Sequence, residues 1–345
     1  MKILITADPE LPVPPVYYGG IERIVDALVR ALQVQGHTVG LMANAASTSP
    51  ASQLFGWPGT SSQAKTDTLK NIIGLSKAVH DFKPDVIHSF SRLAYLGPLL
   101  FAKIPKIMSY QRHVGGTQIS TAARLAGNSL RFTGCSEFIC RMGRPSGGEW
   151  HAIPNFVEPA LCAFGATVEK DAPLVFLSRI ESIKGVDLAI RIARRAGRRL
   201  ILAGNHSVTG PEGDYWKQKV EPEIGHGGIE HVGEVNDVTK GPLLAAAAAL
   251  LVPIQWDEPF GIVFAEALAA GTPVISCPRG ALPEIVENGK HGFLINNEDE
   301  GVEACTKIGE ISRADCRARV EEKFSLSVVS AQYTKLYESL LTKRP

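Results

Sequence analysis

At 345 residues the chain has room for two domains of roughly 150 residues each. Lys and Arg total 36 against 35 Asp and Glu, and the resulting net charge of +1 supplies no basic field for nucleic acid. Hydrophobic residues make up 45% and glycines number 33, as in α/β proteins with many tight strand–helix turns, while neither an apolar run of membrane length nor a secretory start occurs, so a cytoplasmic location is expected.

In chain order, residues 2–6 read as a strand, followed by a proline-rich loop over 9–15 and then Tyr17-Tyr18-Gly19-Gly20. Apolar residues at Ile21, Ile24, Val25, Leu28, Val29 and Leu32 predict a helix that Gly36 ends, before a strand over 38–42. This is a βαβ unit without G-x-G-x-x-G, so a nicotinamide or flavin fingerprint is missing. Gly19 and Gly20 permit close backbone approach to a phosphate or sugar, or simply satisfy a turn; the sequence leaves both open. Residues 43–65 read as a surface loop, 68–80 as a helix, 85–88 as a strand, 93–102 as a helix and 106–109 as a strand. His88 and His113 then fall at carboxyl ends of strands, on the rim that holds Gly19 and Gly20; a histidine there is more often a structural hydrogen bonder than a catalyst, and the shared rim favours His113 more than His88. Strands are predicted over 131–134 and 150–153 with a helix over 136–142 between them. Arg124, Arg131, Arg141 and Arg144 offer a basic face for an anionic lipid or acceptor, although scattered charge on a solvated surface is the simpler reading.

A polar segment puts the domain boundary near 156–172, after which the αβ pattern resumes with a strand over 174–178. Arg179 and Lys184 lie in the loop before a helix over 186–196, so two fixed cations and a helix N-terminus form an anion cradle. Strands over 199–204 and 230–232 follow, the second closing on Gly233-Glu234-Val235. The six cysteines (Cys135, Cys140, Cys162, Cys277, Cys305, Cys316) show no C-x-x-C and no histidine at ligand spacing, and no D-x-D occurs. Reduced thiols are expected, with neither metal nor cofactor.

The most informative stretch is 256–271, W-D-E-P-F-G-I-V-F-A-E-A-L-A-A-G. An apolar strand over 250–254 precedes it, Gly261 opens a helix, Gly271 stops it, and 272–276 reads as the next strand. Glu258 sits in the loop and Glu266 in the helix, with a phosphate-suited helix N-terminus between them. Spacing alone allows these carboxylates to grip hydroxyls or only to face water. Beyond them, 280–286 reads as a short helix and 289–295 as a strand, while Val329, Tyr333, Leu336, Tyr337 and Leu340 form one face of a terminal helix that fits either domain.

These residues together resemble glycosyltransferase family 4, retaining nucleotide-sugar glycosyltransferases of the GT-B fold. The match rests on Glu258-Pro259-Phe260-Gly261-Ile262-Val263-Phe264-Ala265-Glu266, the family's E-x7-E signature. Gly19-Gly20, Arg179 with Lys184-Gly185, and Gly280-Ala281-Leu282-Pro283-Glu284 support it at compatible spacings. The resemblance implies an α/β fold of two Rossmann-like domains, with parallel sheets facing across a cleft. It places an acceptor domain over 1–156, a donor domain over 157–327 and a last helix, about 328–345, returning to the first. It gives Glu266 the ribose hydroxyls, the Val235 backbone the base, and Arg179 and Lys184 the diphosphate. Glu258 and the backbone of Phe260, Gly261 and Ile262 receive the sugar hydroxyls and the β-phosphate. Gly19 and Gly20 close on the phosphate, and His113 stands near the sugar's reaction centre. The implied donor is a UDP-sugar, UDP-glucose or a related hexose, and the acceptor a hydroxyl on a sugar, a lipid-linked sugar or a small molecule. Peripheral contact of the N-terminal domain with the inner face of a membrane goes with a lipid acceptor. A nucleotide-sugar 2-epimerase shares this architecture, and a non-catalytic nucleotide-sugar sensor is the other class. A glycosidase reading of Glu258 and Glu266 leaves Arg179, Lys184 and the helix start without a use.

Overall fold

The computed structural model describes residues 1–16 and 19–342; Tyr17, Tyr18 and the last three residues of the expected terminal helix lie outside the described residues. The chain divides into two units, one of Met1–Asn155 with the segment from Leu326 onward, the other of Phe156–Ser325.

The first unit runs β1 (Lys2–Thr6), α1 (Gly20–Val34), β2 (Thr38–Ala43), β3 (Gln53–Gly56), α2 (Lys65–Phe82), β4 (Val86–Ser89), β5 (Lys106–Tyr110), α3 (Gln118–Ala126), β6 (Leu130–Gly134), α4 (Glu137–Gly143) and β7 (Glu149–Ala152). Its seven strands pair in parallel in the order β3-β2-β1-β4-β5-β6-β7. The central strands carry short apolar runs because helices cover both faces of such a sheet; Ile3, Leu4, Ile5, Val86, Ile87 and Ile107 are fully buried.

Two sequence expectations need correction here. The expected loop over 43–65 contains β3, a largely exposed edge strand that pairs with β2, and Trp57, whose buried Nε1 donates to the Ala7 carbonyl at 2.7 Å. The expected helix over 93–102 is a 3₁₀ segment, Leu93–Phe101, with Pro98 inside it; proline removes a donor and blocks the regular α ladder.

The second unit runs β8 (Leu174–Leu177), α5 (Val186–Arg195), β9 (Leu200–Ala203), α6 (Gly210–Tyr215), β10 (Ile229–Gly233), α7 (Asp237–Ala245), β11 (Ala249–Leu251), α8 (Ile262–Ala269), β12 (Val274–Ser276), α9 (Leu282–Ile285), β13 (Gly292–Leu294), α10 (Glu298–Lys307) and α11 (Arg313–Lys323). Its six strands are also parallel, in the order β10-β9-β8-β11-β12-β13. In each sheet the strand order reverses direction once, between β1 and β4 and between β8 and β11. Loops at the carboxyl ends of the strands beside that reversal are where open α/β sheets bind ligands.

The last helix, α12 (Leu326–Thr342), belongs to the first unit. Its buried residues are Val329, Ser330, Tyr333, Leu336, Tyr337 and Leu340. Gln35, just past α1, donates to the Ser330 hydroxyl at 3.0 Å and accepts from the Thr334 hydroxyl at 2.6 Å. No helix of the described residues is long and apolar enough to cross a membrane.

His88 is the polar anchor of this helix, in keeping with the structural hydrogen-bonding role expected of a histidine there, although it is buried within β4 and not exposed on the rim. It is fully buried in β4, with Nδ1 2.7 Å from the Tyr337 hydroxyl and Nε2 2.7 Å from the Ser109 hydroxyl. Burial pushes its pKa down to about 3. The unfolded chain takes up this proton near pH 6.5 and the folded unit does not until far lower, so the contribution is complete above about pH 6.5 and is lost as pH falls towards 3. Urea unfolding at pH 4.5 should show about 2–3 kcal/mol less stability than at pH 7 from this group. His88→Gln should narrow that gap; an unchanged gap would show that another group sets the acid limit.

Candidate functional site

In the second unit, Arg179 and Lys184 follow β8, and Trp256 and Glu258 follow β11, the two strands on either side of the sheet's reversal. Lys184 closes a 3₁₀ turn, Ser182–Lys184, and Gly185 caps α5 in the left-handed region at φ 76°. A side chain at Gly185 would collide with the Pro253 carbonyl, so this glycine lets the β8 loop approach the β11 loop. The Gln255 N–H donating to the Ile183 carbonyl at 2.8 Å ties the same two loops together.

This approach brings Lys184 and Glu258 into direct contact. Lys184 Nζ donates to Glu258 Oε2 at 2.6 Å, Trp256 Nε1 donates to the same oxygen at 2.9 Å, and the ammonium lies 4.8 Å from the indole centroid. Both charged side chains are only 12% exposed, so water screens the pair weakly. The Glu258 backbone is fixed by Gly280: a Cβ there would sit 2.2 Å from the Glu258 carbonyl, and the Ala281 N–H donates to that carbonyl at 2.9 Å.

α8 starts four residues after Glu258. Gly261 caps it at φ 83°, and the Phe260 side chain is buried against Phe324, which anchors the turn. The first N–H groups of this helix have no intrahelical acceptor and carry its positive dipole end. Glu266, one turn further on, receives Lys240 Nζ on Oε1 at 2.6 Å. Arg179 is half-exposed and pairs with Glu181 at 2.5 Å. Val235 lies between the end of β10 and α7, whose N-terminus is closed by a capping box of Asn236 and Thr239.

The structure thus joins Lys184 to Glu258 and sets α8's start beside them, but pairs Glu266 and Arg179 with Lys240 and Glu181, which were not anticipated. Trp256 also had no assigned part. Lys240 had a readable signal: Asn236 three residues before Thr239 marks a helix N-terminus and places Lys240 in its second turn.

In the first unit, Gly19 caps α1 at φ 150°, and a Cβ there would meet Pro15 and the Glu22 carboxylate, so turn geometry alone requires glycine. His113 is exposed, with its ring 5.9 Å from that of Phe138. Near the end of β1, burial pushes Asp8 up to about 6 even with Arg112 at 3.2 Å. Of the four arginines considered as a basic face, Arg131 is buried against Glu149 at 2.7 Å and Arg144 is paired with Glu137. All six cysteines are free thiols.

Comparison with known proteins follows the same division. The Glycosyltransferase Family 4 model matches residues 18–161 and the Glycosyl transferases group 1 model residues 163–323. The phosphatidyl-myo-inositol mannosyltransferase of Mycolicibacterium smegmatis is 29% identical over 205 residues, covering 54% of this chain and 51% of that protein. The D-inositol 3-phosphate glycosyltransferase of Mycolicibacterium paratuberculosis is 32% identical over 148 residues, 42% of this chain and 33% of its own. The chain therefore spans about half of the first relative and a third of the second. Among solved structures, AviGT4, a glycosyltransferase involved in avilamycin A biosynthesis, superposes with a TM-score of 0.74 at 25% identity over 99% of this chain and 98% of that one. Anabaena Alr3699/HepE in complex with UDP and glucose superposes at 0.73 and 20% identity, over 98% and 100%. The chain thus carries a glycosyltransferase family 4 domain followed by a glycosyl transferases group 1 domain, on the α/β fold of the GT-B glycosyltransferases.

Proposed function

We propose that the chain is a retaining glycosyltransferase that moves a hexosyl unit from a nucleotide sugar, UDP-glucose or a related UDP-hexose, to a hydroxyl acceptor. The observation that carries the reading is the Lys184–Glu258–Trp256 cluster beside the α8 N-terminus, at the carboxyl ends of β8 and β11. A nucleoside diphosphate leaving group and a sugar need this combination: cations and N–H donors for the phosphates, and a carboxylate for the sugar hydroxyls.

In the reaction, the bond from the anomeric carbon to the diphosphate oxygen breaks and negative charge develops on the diphosphate. Lys184, Arg179 and the α8 N–H groups stabilise that charge in place, so the barrier falls without a metal being required. The acceptor oxygen bonds to the anomeric carbon from the same face, and its proton passes to the departing phosphate oxygen. Glu258 orients the sugar and forms no covalent adduct; a trapped glycosyl–Glu258 species would refute that part. Gly19, Gly20 and His113 keep the phosphate and sugar roles that the resemblance gives them, and Val235 keeps the base. Acceptors in glycolipid, polysaccharide or other glycoconjugate assembly fit the same chemistry.

The test is a thermal-shift screen of UDP-, GDP- and ADP-sugars, followed by turnover of the stabilising donor. A donor at a hundred times its dissociation constant should stabilise the chain by about 2.7 kcal/mol. The expected result is a shift with UDP-hexoses and release of UDP that depends on an added hydroxyl compound. No shift with any nucleotide sugar would overturn the reading, and epimerisation of the donor without an acceptor would redirect it.

A further inference from the structure

We infer that Lys240 is a positioning residue that sets the Glu266 carboxylate for a ribose cis-diol, and so makes the site select ribonucleotides over 2′-deoxyribonucleotides. The inference rests on the proposed nucleotide-sugar reading and extends it to a residue outside the recognised motifs. Glu266 stands on α8 and Lys240 on α7, 26 residues apart, and their side chains meet at 2.6 Å with about a fifth of each exposed. α7 is the helix that begins two residues after Val235, with Asn236 as its cap. Lys240 thereby links the segment assigned to the base with the carboxylate assigned to the ribose.

Glutamate has three side-chain torsions, and a carboxylate that must accept from two neighbouring hydroxyls at once has to be held in one plane. The ion pair supplies that restraint before ligand arrives, so less ordering entropy opposes binding. It acts through Oε1, and Oε2 makes no other hydrogen bond to the described residues. The pair also keeps the carboxylate's charge compensated when a nucleoside displaces water from it, a step that is costly for an isolated ion. α7 is firmly placed: the capping box fixes its start, and its far end is held by Arg313, whose guanidinium donates to the Ala245 carbonyl at 2.8 Å. Lys240 therefore approaches Glu266 from a helix that is tied at both ends.

The experiment measures dissociation constants by calorimetry for whichever of UDP, GDP and ADP the wild-type chain binds best, and for its 2′-deoxy counterpart. Wild type, Lys240→Met, Lys240→Arg and Glu266→Gln are compared, with thermal melts to confirm folding. Lys240→Met should weaken ribonucleotide binding by about tenfold while moving the deoxynucleotide little, so that the ratio between them collapses. Lys240→Arg should restore most of the ratio, and Glu266→Gln should abolish it. A lysine that only holds the fold would weaken both nucleotides equally or lower the melting temperature with the ratio intact, and either outcome overturns the inference alone. Failure of the wild type to bind any of the three nucleotides would overturn the proposed function and this inference with it.

Discussion

On the proposed reading, Lys184→Ala is expected to lower kcat by about 10²–10³-fold, because it removes the fixed cation proposed to face the charge that develops on the leaving diphosphate. The same change leaves Glu258 with one side-chain partner among the described residues, Trp256 Nε1, in a place where it is only 12% exposed. An uncompensated carboxylate there should also cost about 2 kcal/mol of stability, less than for a fully buried pair because the indole still donates to it. The two effects separate by design. Glu258→Gln in the Lys184→Ala background relieves the stranded charge, so stability should return while turnover stays low. Lys184→Arg keeps the charge but presents a planar fork in place of a compact ammonium, and should recover only part of the rate. Steady-state kinetics with the donor found by the thermal screen, alongside thermal melts, reads both quantities. Unchanged kcat in Lys184→Ala, with the ion pair lost, would remove Lys184 from the chemistry.

The parallel α/β fold was legible because its signals are local. Apolar runs such as Leu4-Ile5 and Leu250-Leu251, each followed by a glycine-bearing turn and a helical pattern, mark buried strands and the loops that carry ligands. Elements with mixed signals were not. α7 has a readable start at Asn236 but then contains Gly241 and Pro242, α10 and α11 are strongly polar, and β3 is an edge strand with mostly exposed positions. β3 and α7 are held by tertiary packing that overrides weak intrinsic preference, whereas α10 and α11 lack the broad apolar stripe by which a helix is read. Two packing arrangements of the site were equally illegible. Lys184 and Glu258 are 74 residues apart and meet only because β8 and β11 are neighbours in the sheet. Lys240 meets Glu266 across two helices for the same kind of reason. A sequence shows which charges stand at strand ends; which of them pair depends on strand order, and that is a property of the assembled sheet.

Strand order in the second unit is also where the largest loss of stability is expected. Arg313→Met should destabilise this unit by about 3–5 kcal/mol. Arg313 opens α11 and is 9% exposed, and its guanidinium is spent on the backbone. Nε donates to the Gly165 carbonyl, Nη1 to Ala247 at 2.9 Å, and Nη2 to Ala245 at 2.8 Å and to the Thr272 hydroxyl at 2.9 Å. No carboxylate pairs with it among the described residues, and burial pulls its pKa below the usual arginine range. Charge-assisted donors to carbonyls replace the water that burial removed. Ala245 lies at the end of α7, Ala247 just before β11, Thr272 just before β12 and Gly165 in the segment before β8, so one side chain fastens the segments that feed the Glu258 loop and α8. Methionine fills much of the volume but leaves three carbonyls without these donors, the outcome in which lost desolvation is not recovered. For a unit of this size, 1 kcal/mol corresponds to roughly 2–4 °C in melting temperature, which puts the expected fall at about 10 °C. A lysine ammonium would reach one or two of the acceptors without the fork, so Arg313→Lys should fall between wild type and Arg313→Met. A melting temperature unchanged in Arg313→Met would show that these carbonyls find other donors and that α11 is held by its apolar contacts alone.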